Sequence, residues 1–200
     1  IYSKWIHTYN FSYIRGKQMN AVGTKTIETE RLILRKMQKK DAELIYKNWT
    51  SDENVSKYVT WDTHKSVKDT KKYVRYKLER YKNPYVFDWV VVLKETGEPI
   101  GEIDAVKVSP AERRVEMGDC FGSKFWNKGY ATEALKAFIN YMFTEVEADK
   151  VTACHMAVNP ASGAVMKKAG MTYDATLKGY AYDKNTGLRD DLLYFSIDRK

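Results

Sequence analysis

The sequence predicts an α+β fold, with a central mixed, mostly antiparallel sheet flanked by helices. Three observations lead there. Apolar stretches of strand length at Val86–Lys94, Ile100–Val108 and Arg113–Phe121 are joined by the short turns "TGEP" and "SPAE", which makes an antiparallel meander. Ser66–Lys82 and the run beginning near Gly129 repeat their apolar residues at helical spacing. Two more strands close the chain around Asn185-Thr186-Gly187.

Each element has its own reason. "RLILRKM" (Arg31–Met37) reads as a strand, and Asp41 then caps a helix whose apolar side carries Leu44, Ile45 and Trp49. Ser66–Lys82 places Val67, Val74, Leu78 and Tyr81 inward and a heavily basic face outward. "VFDWVVVLK" is apolar enough to be a mostly buried first strand of the meander. The helix from Gly129 aligns Ala131, Ala134, Leu135, Phe138 and Met142. "KVTACHMAV" (Lys150–Val158) is a strand, Asn159-Pro160 starts a short helix, and Gly170 ends it. "MTYDATLKGYAY" and "RDDLLYFSI" are the closing pair.

Residues 1–18, "IYSKWIHTYNFSYIRGKQ", are aromatic, β-prone and basic, and contain no acid. They lack the apolar core of a secretory signal. They are expected to form an N-terminal extension packing on the sheet edge or a neighbouring chain, which leaves room for a homodimer. Met19 is a candidate natural start, and residues 19–200 are expected to form a single domain.

Hydrophobic residues at 44% and charged residues at 30% describe a soluble globular chain and exclude a disordered one. No apolar run approaches the ~18 residues of a membrane span, so no membrane role and a cytoplasmic location are expected. Cys120 and Cys154 lie in strand-like stretches without metal-ligand spacing, as buried free thiols would, and no metal is expected. The net charge of +8 is either a solvated lysine-rich surface or a welcome for anions. The basic residues spread from Lys36 to Arg199, which argues against a specific nucleic-acid site. His7, His64 and His155 form no triad or metal site, and His155 reads as structural.

One stretch points to chemistry. In "FWNKGYATEALKAF" an aromatic pair gives way to Asn127-Lys128-Gly129 at the mouth of a helix. The first N–H groups of a helix lack partners and carry the positive end of its dipole. Gly129 lets an anion approach, Asn127 tolerates a left-handed backbone, and Lys128 adds charge, which suits a pyrophosphate.

"VEMGDCFGSKFWNKGYATEAL" and the later "VNPASGAVMKKAGM", together with "TERLILR" and "PIGEI", resemble the GNAT-fold acetyltransferases. The resemblance covers roughly Thr29–Asp198 and is nearest to the Rim-type branch, which acetylates ribosomal-protein N-termini and other amines. It implies the GNAT fold with acetyl-CoA as co-substrate. The backbone of Trp126, Asn127, Lys128, Gly129, Tyr130, Ala131 and Thr132 would cradle the pyrophosphate, and the strand ending in Cys120-Phe121 would splay and pair with the pantetheine arm.

Asn159, an ordinary N-cap before Pro160, would lie beside that arm. Ser162 would stand at the positive helix end and return a proton to the leaving thiolate. Met166 occupies the position where many members of the superfamily have a tyrosine acid, so Ser162 or water takes that task. Glu102, Asp104 and Glu116 are the candidate bases, acting through water, with Glu102 favoured and Glu116 second. Ala181 stands where some Rim-type enzymes carry a glutamate.

Direct acetyl transfer to a primary amine follows, the acceptor being a protein or peptide N-terminus, including a ribosomal protein's, or a small molecule. Two other readings stay open. A non-catalytic acyl-CoA- or ribosome-binding module is favoured by the missing tyrosine and the basic surface. A polyamine or aminoglycoside acetyltransferase would need a clustered acidic cleft, to which Glu102, Asp104, Glu116 and Asp119 could contribute, although strand alternation turns Glu116 and Asp119 to opposite faces.

Overall fold

The computed structural model describes residues 18–200, so all of the expected extension but Gln18 lies outside the described residues. The chain runs β1 (Ile27–Glu28), β2 (Leu32–Arg35), α1 (Ala42–Ile45), α2 (Glu53–Ser56), α3 (Val67–Arg80) and the meander β3 (Asp88–Leu93), β4 (Pro99–Ser109) and β5 (Arg114–Phe121). It continues as α4 (Tyr130–Thr144), β6 (Lys150–Met156), α5 (Pro160–Lys168), β7 (Thr172–Asp183) and β8 (Leu188–Asp198). Among the described residues eight strands form one sheet in the order β1-β2-β3-β4-β5-β6-β8-β7. All neighbours are antiparallel except β5 and β6.

Period-two alternation divides the core between the two faces of the sheet. Trp89, Val91, Ile103, Val115, Val151 and Phe195 pack under α4 and α5, against Leu135, Phe138, Met142 and Met166. Val90, Val92 and Cys120 face the other way, onto Ile45, Trp49, Val55 and Val74 of the N-terminal helical layer. The meander, the start of α4 at Gly129 and the start of α5 at Pro160 appear where the sequence predicts them.

The N-terminal layer differs from its prediction. Asp41 does not N-cap α1; its carboxylate accepts both arms of the Arg35 guanidinium, at 2.7 and 2.9 Å, and takes the Gln38 N–H at 2.7 Å in the capping box of the preceding 3-10 turn. The expected helix is broken into a 3-10 turn at Lys39–Asp41, one turn of α1 and a π-helical stretch at Tyr46–Thr50. Leu44 is consequently exposed. On α3 the basic face is not wholly outward, because Lys77 turns inward and is 4% exposed.

The feature that positions the site is a divergence of strands. β5 and β6 pair only from Arg114–Glu116 to Lys150–Thr152. Beyond that, β5 stays on β4 as far as Phe121 while β6 follows β8 to Met156. Because the two strands are parallel, the wedge widens toward both carboxyl ends. There the chain leaves β5 for α4 and leaves β6 for α5, so both helix N-termini lie at its mouth.

Candidate active site

The loop between β5 and α4 is held by bonds that turn its carbonyls away. Trp126 Nε1 donates to the Phe121 carbonyl at 2.7 Å, and Phe125 and Trp126 close a short turn on Gly122 and Ser123. Asn127 at φ 60° and Gly129 at φ 80° bracket Lys128 in left-handed conformations, the role their types suggest. Arg31 Nη1 draws in the Lys128 carbonyl at 3.0 Å, stacks over the Tyr130 ring at 4.6 Å and forks onto Glu133. Thr29 Oγ1 donates to the same carboxylate at 2.6 Å. Although burial opposes it, these bonds hold the Glu133 carboxyl below its usual range. The N–H groups of Tyr130, Ala131 and Thr132 receive no side-chain cap. No ion pair engages Lys128 among the described residues; its ammonium stands 5.9 Å from the Phe125 ring.

On the wedge side of β5 the geometry redistributes the roles expected of Cys120 and Phe121. Gly122 N–H donates to the Ile100 carbonyl, so by antiparallel alternation Gly118 and Cys120 spend their backbone groups on β4. Those of Met117, Asp119 and Phe121 face the wedge, and the Phe121 carbonyl is already taken by Trp126. The Cys120 side chain is buried against the helical layer. An incoming extended chain would therefore meet Met117 and Asp119 before Cys120.

Across the wedge, Asn159 makes no cap bond with its side chain, although it stands before Pro160 as an N-cap should. Ser162 is half-buried in the first turn, and no hydrogen bond reaches its hydroxyl among the described residues. Gly163 brings this turn down onto β6, since a Cβ there would stand 2.5 Å from His155 Nε2. The His155 ring is buried and stacked on Phe195 at 5.6 Å, a packing role. Met166 is core. Glycine-assisted turns, uncapped helix N-termini, a splayed strand edge and an unengaged amide together make an anion-binding mouth beside an open strand edge.

The carboxylates are differently engaged. Glu102, expected as a solvent-linked base, is 8% exposed and accepts the Tyr73 hydroxyl at 2.6 Å. Asp104 lies 3.2 Å from Lys77 Nζ, and Asp88, fully buried, lies 2.7 Å from it. Burial opposes the Lys77 charge, yet Glu102, Asp88 and Asp104 together hold its ammonium well above the ordinary lysine range. Glu116, beside the point where the strands part, is half-buried, with Oε1 3.9 Å from Cys154 Sγ. Burial and the neighbouring Asp104 push the Asp119 carboxyl up to about 6.

Burial, Glu102 and Asp119 push the Cys120 thiol well up. Burial and Glu116 push Cys154 up to about 11. Neither offers a thiolate nucleophile at neutral pH. Among the described residues no cluster of metal-ligating side chains occurs, and no helix is long and apolar enough to cross a membrane.

Sequence reasoning missed Tyr73, Lys77 and the Arg31–Glu133 tether. Thr70, Val74, Lys77 and Tyr81 share one helical stripe, and that spacing was the available signal for α3.

Residues 31–172 match the family described as the acetyltransferase (GNAT) domain. The uncharacterized N-acetyltransferase YnaD of Bacillus subtilis is 33% identical over 76% of this chain and 85% of its own length. A GNAT-family acetyltransferase crystal structure from Bacillus anthracis superposes with a TM-score of 0.75 at 31% identity, over 87% of this chain and 98% of that one. RimL, a ribosomal L7/L12 α-N-protein acetyltransferase solved with coenzyme A, shares the fold with a TM-score of 0.77 at 16% identity, covering 87% and 98%.

Proposed function

This chain belongs to the GNAT acetyltransferase family, and from that premise we propose that it moves acetyl from acetyl-CoA directly to an α-amine in a ternary complex. The observation that carries the reading is the wedge, whose mouth gathers two helix N-termini and whose β5 edge offers unpaired backbone. The α4 N-terminus with Lys128 would hold the phosphates, and the backbone of Met117 and Asp119 would align the pantetheine arm. Bound there, acetyl-CoA supplies an activated acyl group. The raised thiols of Cys120 and Cys154 support direct transfer over an acyl-enzyme route. Ser162, at the dipole end of α5, would hand its proton to the departing sulfur.

The name of RimL supports a protein N-terminus as acceptor, and so does chemistry. An α-amino group has a pKa near 7.7–8.0, against about 10.4 for lysine, so roughly one α-amine in ten is neutral at pH 7. With Glu102 held by Tyr73 and Asp104 by Lys77, little of the acidic cleft a polycation would need remains. Acetyl-CoA consumption across peptide N-termini, lysine peptides, polyamines and aminoglycosides tests this. Faster α- than ε-acetylation at pH 7 is expected; the reverse order rejects the acceptor, and turnover of nothing in the panel favours the binding-module reading.

Ser162→Ala is expected to lower kcat about 10–10²-fold with little change in acetyl-CoA affinity. A wild-type kcat would assign the proton to water.

A further inference from the structure

The wedge closes at the rung where Glu116 on β5 stands opposite Thr152 on β6, the last pair the two strands make. Just beyond that rung, alternation sorts the side chains between the two faces of the sheet. Met117 and Ala153 turn toward α4 and α5 and are buried, so that face is shut. Glu116, Gly118, Cys154 and Met156 turn to the other face, and all four are only half-buried. At its apex the wedge therefore opens to one side of the sheet.

Three side chains border that opening. Glu116 Oε1 and Cys154 Sγ touch across the apex at 3.9 Å. From β4, Val106 falls where the register slips between Ala105 and Lys107, as the extra residue of a bulge. A Cβ on Gly118 would stand 2.7 Å from Val106 Cγ1, so the missing side chain makes room for that methyl group. Val106 is otherwise exposed, whereas Cys154 is backed by Tyr194, its cross-strand partner on β8. The Cys154 thiol, pushed up to about 11 by burial and Glu116, is neutral at pH 7 and presents an uncharged, polarizable wall.

An acyl-CoA held by its phosphates at the mouth runs its arm inward along the free edge of β5, which brings the acyl group to the apex. Straight ahead stands the backbone of the Glu116–Thr152 rung, and toward α4 stand Met117 and Ala153. A chain longer than acetyl has one way left, onto the open face between Val106 and Cys154. We propose that Cys154 is the residue that sets acyl length, its side chain closing this exit so that acetyl fits and longer acyl groups are refused; the assignment rests on the acetyl-transfer reading. Of the three walls it is the one that decides. Val106 has open space to turn into, and an alkyl chain gains nothing from the Glu116 carboxyl.

Transfer from acetyl-, propionyl- and butyryl-CoA to one peptide N-terminus tests the gate, together with calorimetry of the same acyl-CoAs without acceptor. The wild type is expected to favour acetyl over propionyl about 10-fold or more in kcat/KM, the usual effect of one misfit methylene. Cys154→Ala removes one sulfur atom, and the propionyl-to-acetyl ratio should rise about 10-fold. Cys154→Val fills the same exit and should lower kcat/KM for acetyl-CoA about 10-fold, with a smaller loss of affinity for free coenzyme A, which brings no acyl group to the apex. A cysteine that only supported the fold would move all the acyl-CoAs together. Where the chosen amine is not turned over, the ratio of calorimetric affinities decides in the same direction. A wild type that takes propionyl as readily as acetyl, or a ratio unmoved in Cys154→Ala, overturns the gate and leaves acetyl transfer standing. A wild type that binds no acyl-CoA overturns the acetyl-transfer reading and the gate with it.

Discussion

Gly129→Glu is expected to abolish acetyl-CoA binding in calorimetry while the protein stays folded. The substitution acts on the anion site in two ways. It places a carboxylate among the uncapped N–H groups at the start of α4, where the helix dipole favours one negative charge and a second must compete with it. It also adds a Cβ 3.4 Å from Arg31 Nη2, against the group that holds the loop's carbonyl back. At φ 80° a side chain costs about 1–2 kcal/mol, so a modest fall in melting temperature accompanies the loss. Gly129→Asn is the control, because asparagine tolerates this backbone and brings no charge. It should retain most of the affinity. Unchanged affinity in the glutamate variant would remove the loop from the binding site.

Lys77→Met is expected to give the largest stability loss, about 3–5 kcal/mol, because it leaves the buried Asp88 and the half-buried Asp104 without their ammonium. Arg80, 3.8 Å from Asp88, compensates only in part. In the wild type the folded-state pKa of Lys77 is raised, so its contribution is complete below the unfolded value of about 10.4 and fades only at higher pH. In the variant, burial raises the Asp88 carboxyl with less to oppose it. A carboxyl raised in the folded state favours folding below its unfolded value near 3.9 and loses that advantage as the pH climbs. The gap between wild type and variant should therefore be wider at pH 8 than at pH 5 in urea titrations. An equal gap at both would mean that the cost is lost packing rather than stranded charge.

Much of the fold was legible locally. Val86–Lys94, the two short turns and Asn159-Pro160 each state their structure through alternation, turn chemistry or a fixed φ. These are interactions among near neighbours, so a linear reading captures them. Asp41 shows the limit: its type and place suit the N-cap of α1, but its carboxylate is shared between Arg35, six residues earlier, and the Gln38 N–H of the preceding 3-10 turn, and the helix breaks into other turns.

The candidate site divides in the same way. Asn127, Lys128 and Gly129 declare an anion-binding turn through backbone preference and charge alone. The free edge of β5 depends on where β6 stops pairing, and alternation then gives that edge to Met117 and Asp119 instead of Cys120. Glu102 reads as a surface carboxylate until α3 sets Tyr73 on it. The sequence by itself determined the α+β class, the meander and the two helix starts, because propensity and periodicity are short-range. Tertiary structure alone decided which backbone groups remain unpaired and which charged side chains lose water, because both depend on partners distant in the chain.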